Sequence, residues 1–131
     1  MRAVDTNVLV RALVQDDAAQ AHRAADVLGA GPFYIPITVI LELEWVLRSR
    51  HGYPGRLIAD AMEKLAKLEN AIVGEQAAVV AAAAKLRRGW DFADALHHSL
   101  SAGCDDFVTF DADLARRARR ADSSVPPVVA I

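Results

Sequence analysis

The sequence predicts a three-layer α/β/α sandwich, in which helices cover both faces of a central, mostly parallel sheet of four or five short strands. Three observations predict it. Short apolar segments without clear alternation recur along the chain, as expected for strands covered on both faces. The segments between them have helical spacing and are rich in alanine, which occurs 26 times. Finally, 131 residues with 53% hydrophobic content suit one domain spanning 1–131.

The five predicted strands are short and lie between glycine- or proline-containing joints. They cover Ala3–Val4, Phe33–Ile35, Ala71–Val73, Phe107–Thr109 and Val128–Ala130. Apolar residues at helical spacing predict the helices between them. Asp16 or Asp17 caps a helix that runs to about Leu28, and Thr38 caps one that runs through Arg50. The other predicted helices run from Pro54 to Leu68, Glu75 to Arg88, Asp91 to near Gly103, and Asp111 to Arg120.

Charge and composition exclude several classes of protein. The net charge of −2 excludes a broadly basic coat for nucleic acid, although a local basic patch is compatible with it. The single cysteine excludes an intramolecular disulfide framework. The longest apolar run, from Ala77 to Ala84, is far shorter than the ~20 residues of a membrane span. Asp5 interrupts the start of the chain too early for an apolar targeting core, so we expect a cytoplasmic protein with no membrane contact.

Acidic residues fall where a parallel sheet places its ligands. Asp5 directly follows the first predicted strand and Asp111 directly follows the fourth, so both emerge at the same edge. Asp91 and Asp94 share a face at the start of one helix. Glu42 lies one turn into another helix, between Leu41 and Leu43. A carboxylate in such apolar surroundings is costly without a partner.

Four acids, Asp5, Glu42, Asp94 and Asp111, could therefore converge on one cleft. Carboxylates brought together raise each other's pKa unless a cation compensates. A hard divalent cation such as Mg²⁺ or Mn²⁺ prefers oxygen ligands, and such a site can activate water and clamp a phosphodiester.

Each of these residues also has an interpretation without a metal. Asp5, Asp91 and Asp111 can cap helices, which for Asp91 is the favoured interpretation. Glu44 is the alternative to Glu42 as the acid of this helix, but Glu44 is expected on a solvated helix face. For His97 and His98, packing or a supporting hydrogen bond is favoured over a role as a catalytic base, and a zinc site is not indicated.

Four segments, in this order and at these separations, carry a resemblance that spans the chain from its first strand to its last. They are Ala3–Arg11, Ile40–Arg48, Asp91–His97 and Val108–Asp111. Together they resemble the PIN-domain family and, within it, the VapC-type ribonuclease toxins of type II toxin–antitoxin systems.

The resemblance implies a Mg²⁺- or Mn²⁺-dependent endoribonuclease that cuts RNA phosphodiesters with metal-activated water. The family's acidic positions correspond to Asp5, Glu42, Asp94 and Asp111, with Asp5 and Asp94 as the direct metal ligands. Asp113 competes with Asp111 for the fourth position, and the motif register favours Asp111. Supporting roles fall to Thr6 or Asn7 at the strand-end turn, to Thr109 as a hydrogen-bond partner of a ligand carboxylate, and to Asp91 as an outer member.

The resemblance also implies partners: an RNA substrate, a cognate VapB-type antitoxin whose C-terminal segment binds near the site, and a second copy of the chain in a homodimer. Basic residues must hold the RNA phosphates against the acids. The candidate groups lie on the last helix (Arg116, Arg117, Arg119, Arg120), at Arg87 and Arg88, and around one loop (Arg48, Arg50, His51, Arg56). The sequence does not select one of these groups, nor does it give the RNA target.

Three other functions compete with this one. The chain could be a catalytically silent PIN-like module that binds RNA or protein, but all four acidic positions are filled. It could be an RNA-processing PIN nuclease without an antitoxin. A phosphohydrolase or receiver domain would need a lysine late in the chain at a strand end, whereas the lysines are Lys64, Lys67 and Lys85.

Overall fold

The computed structural model describes residues 1–120 and 126–131, in which strands and helices alternate. The strands are β1 (Arg2–Ala3), β2 (Phe33–Ile35), β3 (Ala71–Val73), β4 (Phe107–Thr109) and β5 (Val128–Ala130). The helices are α1 (Thr6–Val14), α2 (Ala18–Gly29), α3 (Ile37–Ser49), α4 (Gly55–Lys67), α5 (Gln76–Arg87), α6 (Phe92–Leu100) and α7 (Ala112–Arg120). The order and character of these elements confirm the predicted PIN-like α/β fold.

The strands pair in parallel but form two sheets where one was expected. One sheet has the order β1-β2-β3, and the other pairs β4 with β5. In the first, Phe33 lies opposite Arg2 on one side and Ala71 on the other. β1 has only two residues, which leaves few backbone groups to continue a ladder on its other side. The five predicted strands thus exist, and their division into three and two is a finding of the structure.

The core lies between the first sheet and helices α3 to α6. Its largest fully buried side chains include Phe33 and Ile35 from β2, Ile40 and Leu47 from α3, and Phe92 from α6. The alanines of α5 allow that helix to approach α4 and α6 closely, with Ala82 and Ala83 fully buried. Since α3 and α6 belong to this core, their first turns hold a fixed position relative to the sheet.

Three local predictions need correction. α1 was not among the predicted helices, although Asp5 was considered as a cap, and Asp5 does cap α1. α3 begins at Ile37 after Pro36, so Thr38 lies inside its first turn and does not cap it. β1 covers Arg2–Ala3 and ends one residue earlier than predicted. For α2 the open choice is settled: the Oδ1 of Asp17 accepts a hydrogen bond from the backbone of Gln20 at 3.0 Å.

The expectation that every strand is covered on both faces was also wrong. Val108 at the centre of β4 is 54% exposed, and Ile72 at the centre of β3 is 47% exposed. Each central residue points away from the core, since successive side chains of a strand face opposite sides. The sheets therefore carry one covered face and one partly open face.

A left-handed glycine sets the entry into α6. Gly89 has φ +91°, a conformation that side chains with a Cβ rarely adopt. Its carbonyl accepts a hydrogen bond from Nη1 of Arg117 at 2.7 Å, which links this turn to α7. Two residues later Asp91 caps α6, so the turn positions the acidic first turn of that helix.

Candidate active site

Asp5 and Glu42 are joined through Thr6. Asp5 follows β1, and its Oδ1 accepts a hydrogen bond from the backbone of Thr6 at 2.8 Å. The buried hydroxyl of Thr6 donates a short hydrogen bond to Oε1 of Glu42. One residue thus connects the carboxylate at the end of β1 with the carboxylate on the first turns of α3.

Asp94 lies half-buried in the first turn of α6, next to two other acids. Burial, and after it the negative charges of Asp91 and Asp111, raise its pKa, while His97 acts in the opposite sense. The structure therefore brings Asp94 within electrostatic range of Asp111, as expected for residues that share one edge. A carboxyl whose ionised form is disfavoured in this way gains from a nearby cation.

Asp111 caps the helix that follows β4. Its Oδ1 accepts hydrogen bonds from the backbones of Asp113 at 2.9 Å and Leu114 at 3.1 Å. The Asp113 carboxylate instead forms an ion pair with Arg116 on the exposed face of α7. Asp111 is among the causes that raise the pKa of Asp94, after burial and the charge of Asp91, whereas Asp113 is not.

Two supporting residues act differently from the prediction. Thr6 was expected to hold the strand-end turn, and the structure shows its hydroxyl bonded to a candidate acid. Thr109 was expected to bond a carboxylate, but its Oγ1 accepts the backbone N–H of Asp111 at 3.0 Å.

Asn7 is exposed and lines a cavity between α1 and α2. Asp91 caps α6 by accepting the N–H of Asp94 at 3.1 Å, as favoured from the sequence.

The two acids of α3 exchange the roles expected from their neighbours. Glu42 was expected among apolar residues, yet it is exposed. Glu44 was expected on a solvated face, yet it is 3% exposed and pairs with Nε of Arg48 at 2.7 Å. Because Leu41 and Leu43 flank Glu42 without enclosing it, sequence neighbours alone misjudged which carboxylate is buried. The pairing of Glu44 within its own helix explains how a buried charge is tolerated there.

A groove of about 370 Å³ connects the acids of α3 with the start of α6. It is lined by Glu42 and Trp45 on one side and by Ala93, the residue before Asp94, on the other. Of the four candidate acids, only Glu42 lines this groove. We call the four together the acidic arc: Thr6 joins Asp5 to Glu42, and Asp94 lies within electrostatic range of Asp111. No local pattern in the sequence shows which face of α3 meets α6.

His98 belongs to the core and not to this arc. It is fully buried, with Nδ1 2.9 Å from Nζ of Lys85 and Nε2 2.7 Å from the carbonyl oxygen of Pro126. Its ring also stacks on Trp90. Burial is the main cause that lowers the pKa of His98, and burial likewise lowers the pKa of Lys85. The predicted packing role of His98 agrees with this placement.

The carboxylate oxygens of the acidic arc are suitable ligands for a hard cation, although the four side chains do not converge on one point. In the described part of the chain, no group of three or more His, Cys, Asp or Glu side chains stands close enough to hold a metal ion. Carboxylates are the ligands that Mg²⁺ and Mn²⁺ prefer. Asp5 and Asp111 use Oδ1 for their caps, so Oδ2 of each is the atom available to a metal.

The basic groups differ in how far other residues neutralise them. Arg87 is held by ion pairs with Asp60 and Glu63. Arg48 pairs with Glu44, whose hydrogen bond and charge raise the pKa of Arg48, and the charge of Asp91 on the other side of the groove adds to this. Arg50 lies over the ring of Trp45. Of the groups considered from the sequence, the one containing Arg48 and Arg50 adjoins the groove.

Comparison with known proteins identifies the family. A family model described as the PIN domain matches residues 2–120. Neither the curated proteins nor the solved structures that were compared include a match to the chain. Within the described residues, no helix is long and apolar enough to cross a bilayer. PIN domains are generally metal-dependent nucleases. The match covers nearly the whole chain and all four acidic segments, and the chain therefore belongs to the PIN domain family.

Proposed function

We propose that this chain is a Mg²⁺- or Mn²⁺-dependent endoribonuclease that acts as the toxin of a VapBC-type toxin–antitoxin pair. The observation that carries the proposal is the link from Asp5 through Thr6 to Glu42 in a PIN domain, and the electrostatic influence of Asp111 on Asp94 supports it.

Asp5 and Asp94 are the proposed direct ligands of the metal. Glu42 completes the site or orients water, and Asp111 acts through water or supports a second ion. Asp5 extends from the end of a strand and Asp94 from the first turn of a helix, so both rest on rigid elements. When bound there, Mg²⁺ or Mn²⁺ would activate water and stabilise the charge that develops on the phosphate.

The chain's own residues prepare the site for that charge. Thr6 holds the Glu42 carboxylate in one orientation by donating its hydroxyl proton. The backbone N–H of Asp94 donates a hydrogen bond to the Asp91 carboxylate, and this cap fixes the first turn of α6. Burial, and after it the charges of Asp91 and Asp111, raise the pKa of Asp94 in the metal-free chain, so a bound cation would stabilise its ionised form.

The proposed partners are RNA as substrate and a VapB-type antitoxin that covers the site in the cell. A homodimer and a cytoplasmic location complete the proposal. The support for these points is the resemblance of the four segments to VapC-type toxins, together with the family match.

The proposal is tested by cleavage of total RNA by the purified chain with Mg²⁺ or Mn²⁺ and with EDTA, after removal of any antitoxin. Asp94→Asn is the inactivating variant. Asp26→Asn is the matched control, because Asp26 is a well-exposed acid on α2, away from the arc.

We expect discrete cuts that need the metal, vanish in Asp94→Asn and persist in Asp26→Asn. Equal cutting by Asp94→Asn would show that the arc is not the active centre. If the unmodified chain binds Mn²⁺ but cuts no RNA, the silent binding module becomes the better description.

A further inference from the structure

The groove beside the acidic arc carries an exposed tryptophan. Trp45 is 48% exposed, whereas Trp90, the other tryptophan of the chain, is 2% exposed. Tryptophan is usually among the more buried residues, and its large apolar ring is costly in water. An exposed indole that lines a groove next to a candidate catalytic acid therefore indicates a surface for binding a ligand.

The position of Trp45 ties it to the acid site. Trp45 and Glu42 are three residues apart on α3, so their side chains emerge on the same helical face about 5–6 Å apart at Cβ. Both line the same groove, together with Ala93 at the start of α6. A group bound against Trp45 would thus lie next to a phosphate held at Glu42.

Two arginines give the groove the chemistry of a single-stranded nucleic acid site. The guanidinium carbon of Arg50 lies over the Trp45 ring, 5.6 Å from its centroid. Arg48 also lines the groove and is held by Glu44. Single-stranded RNA is recognised by stacking of its bases on aromatic rings and guanidinium planes, with cations nearby for its phosphates.

We propose that Trp45, backed by Arg50, is the stacking platform for an unpaired base of the RNA substrate, adjacent to the phosphate that is cut. The inference rests on the proposed nuclease function and assigns the side chain that holds one base of its RNA substrate. Charge favours RNA here over an apolar protein segment, because the guanidinium of Arg50 adjoins the indole and the candidate metal-site residue Glu42 lines the same groove, while Arg48 is paired with Glu44.

The test uses tryptophan fluorescence in an Asp94→Asn background, which keeps the RNA intact. The probe is an equimolar pool of 12-nucleotide single-stranded RNAs, and the same pool annealed to its complement is the duplex control. Trp45→Leu removes the ring and Trp45→Phe keeps an aromatic one. Leu57→Ala on α4 is the matched control, because Leu57 is similarly exposed at 43%.

We expect the single strands to quench the fluorescence of the Asp94→Asn chain and the duplex to quench it much less. Trp45→Leu should weaken RNA binding roughly 5- to 150-fold, which corresponds to the stacking of one base. Trp45→Phe should keep most of the affinity, and Leu57→Ala should keep all of it. In the active chain, Trp45→Leu should raise KM for RNA while kcat changes little.

Bound RNA that leaves the fluorescence unchanged, or equal RNA affinity in Trp45→Leu, would overturn the inference. If either result is found while the unmodified chain still cuts RNA, the nuclease function stands, and a protein segment becomes the better candidate for binding in the groove. If the unmodified chain neither binds nor cuts RNA, both proposals fail. Shielding of Trp45 from iodide by RNA can be measured without any substitution at Trp45, so the test does not depend on the folding of that variant.

Discussion

At the scale of the residue, Thr6 is notable because it donates hydrogen bonds to two of the candidate acids, Asp5 and Glu42. It is buried, and its hydroxyl reaches Glu42 on a helix 36 positions later in the chain. No local pattern in the sequence shows such a contact, because it depends on how α1 packs on α3. The sequence did predict that Thr6 supports the site, but it could not predict which group it holds.

We predict that Thr6→Val lowers RNA cleavage about 10- to 100-fold, the usual effect of losing a partner of a metal-site residue. Valine has nearly the same shape, and the exposed Glu42 can exchange the lost hydrogen bond for water, so the fold should persist. The measurement is kcat/KM on a fixed RNA, alongside thermal unfolding. Thr6→Ser keeps the hydroxyl and should retain most of the activity; equal activity in the valine and serine variants would contradict the assigned role.

The choice between Asp111 and Asp113 can be tested with a matched pair of variants. Asp111→Asn keeps a good helix cap, since asparagine caps about as well as aspartate, but removes the charge next to Asp94. We expect it to reduce cleavage about 10- to 100-fold without loss of α7. Asp113→Asn removes only an exposed ion pair with Arg116 and should cleave as the parent does. The reverse order of activities would assign the fourth position to Asp113.

At the scale of the element, α6 has two distinct ends. Its first turn carries Asp91 and Asp94, while its last turn is anchored by His98 to Lys85 of α5 and to the carbonyl of Pro126. The spacing of Asp91, Asp94 and His97 predicted one shared helical face. It could not show that His98, one position later, turns into the core.

This anchor gives the fold a pH dependence with a definite sign. The pKa of His98 is lowered from its ordinary value of 6.5, chiefly because of burial. Below pH 6.5 the unfolded chain therefore binds a proton that the folded chain does not bind, and the free energy of unfolding falls as the pH falls. Protonation at Nδ1 would also place a proton against Nζ of Lys85.

We predict that urea unfolding of the metal-free chain shows this loss of stability between pH 7.5 and 5.5. His98→Leu should be about 1–3 kcal/mol less stable at pH 7.5, because the Pro126 carbonyl loses its side-chain partner and Lys85 keeps only Ser99 as a hydrogen-bond partner. The same variant should lose most of the pH dependence in this range. His22→Gln is the control, since His22 is exposed on α2 and should leave the profile unchanged. An equal pH profile in His98→Leu and the parent would contradict this account.

At the scale of the whole molecule, the sequence predicted the alternation of elements and the segments of all five strands. Those predictions depend on local periodicity and on glycine and proline, which the printed sequence displays. The division into two sheets, the burial of Glu44 and the exposure of Trp45 depend on contacts between distant segments. The surroundings of Glu44 and Trp45 depend on how α3 packs against its neighbours, which include α1 and α6.

The distribution of charge is also a property of the whole molecule. The net charge is only −2, so the proposed function requires local positive charge to hold the RNA phosphates. Arg87 is neutralised by two acids of α4, whereas Arg50 contacts an aromatic ring at the groove. This contrast shows why a count of arginines in the sequence did not select the RNA-binding group.

The central claim, that four acids from separate elements form one metal site, is tested most directly by Mn²⁺ binding followed by electron paramagnetic resonance. The parent chain should bind Mn²⁺ saturably. Asp5→Asn, Glu42→Gln, Asp94→Asn and Asp111→Asn should each weaken binding about tenfold or more, while Asp113→Asn and Asp26→Asn should bind as the parent does. No saturable binding by the parent, or parent-like affinity in all four acid variants, would contradict the claim.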